Sequence, residues 1–254
     1  MIIVQRATPH LAFVAVCLLL AFGVYAPAHW PWYVVGLCVV PIACVVIMCQ
    51  SHWRLEYLGL SAPMIILLVT SYAFMLIQER VDIIAVAGTV TVICFLLFEK
   101  NLAIFLFQPS RYIPYSLEHM STYSTMVAAF FAYVSMFMFA VLHLSRLRYL
   151  LIAAILVTAV MVWQTFWIQK LPWQRARWFV LVLTSVIVES IVVLYYWPIS
   201  FFVNGALLTI IFYVSLHLSR HYLAETLTRR LIIRYSGLAM FASVILLVSA
   251  KWIF

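Results

Sequence analysis

Nine long apolar runs, each separated from the next by only a few polar residues, constrain this chain more than any other feature. They extend approximately over Leu11 to Ala26, Trp32 to Met48, Tyr57 to Ile77, Ile83 to Phe98, Tyr123 to Leu144, Tyr149 to Ile168, Trp178 to Trp197, Ile199 to Leu218 and Leu231 to Phe254. A membrane helix needs about 20 such residues, so the runs predict an all-α polytopic transmembrane bundle of about nine spans, within a range of roughly seven to nine. Composition excludes the alternative. A soluble fold of 254 residues must cover itself with polar groups, and 15 basic plus 7 acidic residues in a chain 68% hydrophobic cannot do so. Lipid makes no such demand. The polar stretches Gln108 to Ser121 and Arg220 to Arg230 are too short to fold alone, which leaves one integral membrane domain over residues 1–254.

Two cuts need argument. The fourth run is short, and after Glu99, Lys100 and Asn101 a second apolar stretch, Leu102 to Phe107, either extends the helix or lies at the interface. Between the seventh and eighth runs stand Trp197 and Pro198. Proline lacks a backbone donor and disfavours helix at the residue before it. Read as one helix, Trp178 to Leu218 would be about 60 Å long, twice the hydrocarbon thickness, so a tight helical hairpin is the better reading.

Basic residues then orient the bundle. With nine spans and the amino terminus inside, the inner segments hold Arg6, Arg54, Lys100, Arg111, Lys170, Arg175, Arg177, Arg220, Arg229, Arg230 and Arg234. The outer ones hold Arg80, Arg146, Arg148 and Lys251. Basic loops resist translocation, so this asymmetry points to an N-in, C-out topology. The positive net charge is accordingly topology and attraction to anionic lipid, and no nucleic-acid partner is expected. Arg6 followed by an apolar run ending in Ala26, Pro27 and Ala28 also has the outline of a cleavable signal, although that run is long and a second span follows at once.

Cys17, Cys38, Cys44, Cys49 and Cys94 all fall within or beside apolar spans without metal-ligand spacing, so they read as small hydrophobes and no cofactor is expected. Leu142 to Arg146 reads Leu-His-Leu-Ser-Arg and recurs at Leu216 to Arg220. The pair reads either as the mark of an inverted repeat or as two helix ends with a snorkelling arginine, and the second reading suffices.

Glu189 is the one acidic residue well inside a run. An ionised group at a span centre costs roughly 2.5–3.5 kcal/mol, so the carboxyl is expected to be protonated or to face a partner or water within the bundle. Ser185 precedes it by one turn, and folding about Pro198 brings Asn204 and Thr209 to similar depth as candidate hydrogen-bond partners. Two readings stand: a proton or cation site, or a neutral acid pinning two helices by hydrogen bonds worth about 0.6–2 kcal/mol. His217, His221 and Glu225 recur along one helix face and form a weak metal candidate, against the plainer reading of a cationic helix end. Arg220, Arg229, Arg230 and Arg234, with Arg111 in the longest inner loop, read as contacts to lipid phosphates.

The pattern Glu189, Trp197-Pro198, Tyr213, Leu227 with Arg229 and Arg230, Tyr235 and Trp252 resembles a family of uncharacterised multi-pass membrane proteins of candidate-phyla-radiation (Patescibacteria) bacteria. The Arg111, Ile113, Pro114 turn is similar to the turn before that family's middle helices; Arg234 departs from the acidic residue the pattern leads one to expect. The resemblance implies a helical fold and a bacterial inner-membrane address, and no reaction. The leading functional reading is a non-enzymatic subunit or scaffold of a cell-envelope complex, in contact with lipids and with other membrane proteins or itself. The alternatives are a small transporter or channel using Glu189, and a lipid-acting membrane enzyme.

Overall fold

The computed structural model describes residues 2–49, 59–142 and 147–250, with side chains from residue 7 onward and excepting residue 109. Its helices are α1 (Ile2–Tyr25), α2 (Trp30–Met48), α3 (Ala62–Ile77), α4 (Val81–Phe107), α5 (Ser116–Val141), α6 (Leu147–Ile168), α7 (Trp173–Tyr195), α8 (Phe201–Leu223) and α9 (Arg229–Ser249). Among the described residues nine helices are long and apolar enough to cross a membrane. Arg54, Arg146, Lys251, Trp252 and most of the Leu142–Arg146 motif lie outside the described residues.

The surfaces of these helices show why the chain belongs in lipid. Helix α1 buries Ala12, Val16 and Leu20, yet its opposite face exposes Leu11, Val14, Leu18 and Phe22. On α6, Ile152, Ile155, Leu156, Val160 and Trp163 are likewise exposed. Helices apolar on both faces are stable only where the surroundings are apolar too. The protein is an all-α integral membrane protein. Hydroxyls within the spans turn back onto their own helices: Thr91 donates to Ala87 O at 2.8 Å, Thr165 to Met161 O at 2.8 Å and Ser190 to Val186 O at 2.7 Å. Such bonds satisfy a polar group where water is absent.

The chain forms two compact units, residues 1–128 and 129–254. In the first, α1 packs on α2 and α4, and α3 packs on the same two helices. Its centre is Val16, Leu37, Leu67, Leu68 and Phe95, with Tyr72 donating to Gly23 O at 3.3 Å. Helix α4 continues from Val81 through Phe107, so the apolar stretch after Asn101 lies in line with the fourth run, and Glu99 is inside a helix rather than beyond one. At the corner after α4, the Tyr112 ring meets Phe105 edge-on at 5.0 Å, and its hydroxyl accepts from Leu117 N at 3.2 Å and donates to Glu118 at 3.3 Å. Burial pushes the Tyr112 phenol above its ordinary pKa.

In the second unit α6 packs on α7, α7 on α8 and α8 on α9. Tyr133 of α5 shares a hydrogen bond with Thr158 of α6 at 3.0 Å and meets Phe212 of α8 edge-on at 6.0 Å. The backbone leaves helical geometry between Tyr195 and Phe201, around Pro198, and Asn204 Nδ2 donates to Leu194 O at 3.2 Å across the break. Leu194 O also accepts from Trp197 N at 3.1 Å, so the Asn204 side chain adds a second donor to that carbonyl and ties the start of α8 to the end of α7.

Helices α6 and α8 end alike. Leu171 N donates to Phe166 O and Lys170 N to Trp167 O; Thr226 N donates to His221 O and Glu225 N to Tyr222 O. Both are Schellman caps, whose turning residue adopts left-handed geometry and is usually glycine. Here it is Lys170, at φ 53°, and Glu225, at φ 57°.

Candidate functional site

The acid singled out from the sequence does not lie where helix packing would hold it. Glu189 is exposed on α7, six residues before the helix ends at Tyr195, and Ser185 one turn earlier is exposed beside it. Val182, Val186 and Val193 are exposed on the same helix. The expected partners are engaged elsewhere: Asn204 is buried on Leu194 O, and Thr209 donates to Gly205 O at 2.7 Å. The structure thus keeps Ser185 beside Glu189 and separates both from Asn204 and Thr209. The reason is rotational: Leu183, Thr184, Ile187 and Ile191 form the packed face of α7, and residue 189 lies on the opposite one.

The metal candidate also disperses. The His217 ring stacks on Tyr235 of α9, with centroids 5.3 Å apart, and tilts against Tyr213 at 4.4 Å. His221 Nδ1 shares a hydrogen bond with Thr226 Oγ1 at 3.0 Å, and Glu225 accepts from Arg175 Nη1 at 3.0 Å. Among the described residues no three His, Cys, Asp or Glu side chains gather to hold a metal. Helical spacing placed these residues near one another, but each is drawn to a different neighbour. What does form here is a pocket of about 340 Å³ lined by Arg175, Tyr222, Glu225 and Leu227, at the paired ends of α7 and α8. Arg229, Arg230, Arg234 and Arg111 are exposed, and Arg220 is half-buried.

A fully buried acid lies in the first unit, where the sequence reading did not place one. Glu99 has 0% exposure, on the face of α4 that also buries Thr91, Phe95, Phe98 and Leu102. Its Oε2 accepts a hydrogen bond from Cys44 Sγ of α2 at 3.1 Å. Its Oε1 is buried and has no hydrogen-bond partner among the described residues. Cys44 is therefore a donor to an acid and not merely a small hydrophobe; Cys49 is also buried, whereas Cys17, Cys38 and Cys94 are half-buried. Cutting the fourth run at Phe98 hid Glu99. The signal that finds it is the spacing Ala87, Thr91, Phe95, Phe98, Leu102, which continues one helical face past the charged residues.

The model of a family described as a protein of unknown function, DUF5656, matches residues 63–249. The chain belongs to this family. The match spans α3 to α9 and includes Glu99 and Glu189, while Cys44 lies outside it. No curated protein and no solved structure matches the chain. Family membership agrees with the resemblance carried by Glu189, Trp197-Pro198 and Tyr235, and extends it to helices nearer the amino terminus.

Proposed function

We propose that this membrane protein is a non-enzymatic subunit or scaffold of a cell-envelope complex, set N-in and C-out in a bacterial cytoplasmic membrane, and that the outer face of α7 receives a transmembrane helix of a partner. The observation that carries this reading is Glu189. A carboxyl on the outward face of a spanning helix costs up to roughly 2.5–3.5 kcal/mol at the span centre and less toward its end, unless another group answers it. Glu189 and Ser185 stand exposed among Val182, Val186 and Val193, with no hydrogen bond to Glu189 from its own chain among the described residues. A partner helix bearing a basic side chain or a hydrogen-bond donor would cover them. Exposed Arg229, Arg230 and Arg234 at the start of α9, with Arg111, support contact with anionic headgroups beside that complex.

A transporter or channel using Glu189 requires a polar route to it, and of the expected partners only Ser185 stands beside it, while Asn204 and Thr209 are bonded elsewhere. A lipid-acting enzyme built on His217, His221 and Glu225 requires convergence that their separate partners oppose.

The test is photo-crosslinking in native membranes from a reactive side chain placed at Val186. A discrete protein adduct that disappears with Glu189→Leu and survives Glu189→Gln is the expected result. Adducts to lipid alone, or a protein adduct indifferent to Glu189→Leu, would remove the proposal.

A further inference from the structure

Apart from the outer face of α7, the unit of residues 1–128 encloses a group that packing alone does not account for. A fully buried glutamic acid is uncommon, and one with an oxygen left unsatisfied is a deliberate cost to the fold. Glu99 Oε1 is such an atom, set among Phe95, Phe98 and Leu102, each at 0% exposure. Around it, α2 contributes the thiol of Cys44 at 3.1 Å, with Cys49 buried at the cap that follows that helix. Helix α3 carries no charged side chain; His10 of α1, Lys100 of α4 and Arg111 of the turn packed on α4 are exposed. Among the described residues no cation answers the acid, and a thiol is a weak donor. An ionised Glu99 would thus have little to solvate it, whereas a neutral carboxyl needs far less.

We propose that Glu99, held by Cys44, is a proton-binding site of this membrane protein, with Oε1 the atom that takes and releases the proton. The ligand is the proton itself, because the carboxyl is fully buried at 0% exposure and meets the thiol of Cys44, itself 2% exposed. Cys44 has a positioning role: its S–H fixes Oε2, which leaves Oε1 as the exchanging oxygen. Release of the proton sets a charge on the buried face of α4, so proton exchange at Glu99 is coupled to loosening of the packing on that face. The site stands whether or not α7 carries a partner.

The experiment is an infrared pH titration of the purified full-length protein in lipid nanodiscs, comparing wild type with Glu99→Gln, Cys44→Ala and Cys44→Ser. A carboxylic C=O band is expected at low pH that shifts in D₂O, is absent from Glu99→Gln, and fades reversibly as pH rises while helix content holds. Loss of the thiol donor in Cys44→Ala moves that band to higher wavenumber, and the stronger hydroxyl donor of Cys44→Ser moves it lower. These opposite shifts identify the band even if Glu99→Gln does not fold. Absence of a Glu99 band at low pH would overturn the proposal, since the acid would then be a carboxylate held by another group. A Glu99 band unchanged across the whole range would overturn it equally, since the acid would be a fixed structural element.

Discussion

Cys44 and Glu99, fifty-five positions apart in the chain, meet at 3.1 Å between α2 and α4, and the thiol is the one donor to the buried acid among the described residues. Removing a donor from a buried acceptor exposes the full desolvation cost of the group left behind, about 1–3 kcal/mol. Cys44→Ala is therefore expected to lower stability by about that amount, and Cys44→Ser, which restores a donor, by less. Glu99→Leu removes both acid oxygens along with the bond. In thermal unfolding of the detergent-solubilised protein, Cys44→Ala combined with Glu99→Leu should cost clearly less than the sum of the single changes. Additivity within about 0.5 kcal/mol would mean that the two side chains do not interact.

The fold was readable because lipid imposes one rule: every backbone polar group must be satisfied within a helix, so apolar length alone finds the spans. Pro198 marked its hairpin for the same physical reason. Glu99 was not readable by that rule. A charge is normally taken to end a span, yet here α4 runs past it for two further turns to Phe107. Glu189 fails differently. Its position within a run was plain, but which way it faces depends on the rotation of α7, and in a helix apolar all round no hydrophobic stripe marks the inward side. The Cys44 thiol gave no signal either, because its partner stands on another helix.

Gly205 and Gly237 are both glycines inside helices, with opposite packing. A Cβ on Gly205 would lie 2.8 Å from both the backbone N and Cα of Val134 on α5, whereas one on Gly237 would meet nothing within 4 Å. Overpacking against a backbone that cannot yield costs typically about 1–3 kcal/mol. Gly205→Ala is expected to lose that much stability, while Gly237→Ala should gain up to about 1 kcal/mol from helix propensity. Thermal unfolding of the two purified variants checks the contrast; equal effects of the same sign would contradict the close approach of α5 and α8.

Lys170 and Glu225 occupy the left-handed position of their Schellman caps, at φ 53° and 57°. A side chain in that conformation is strained by roughly 1–2 kcal/mol, part of which is returned when glycine replaces it, because the unfolded chain also gains freedom. Lys170→Gly is expected to raise stability by up to about 1 kcal/mol. Glu225→Gly relieves the same strain but also removes the carboxylate that accepts from Arg175 at 3.0 Å. Because that pair is exposed, its loss offsets only part of the gain, more so at low salt than at high salt. Unfolding temperatures of the two variants at low and high ionic strength separate the terms: Lys170→Gly should stabilise about equally at both, and Glu225→Gly should stabilise more at high salt. A loss in Glu225→Gly at low salt that fades at high salt would show that the ion pair, and not the backbone strain, governs the end of α8.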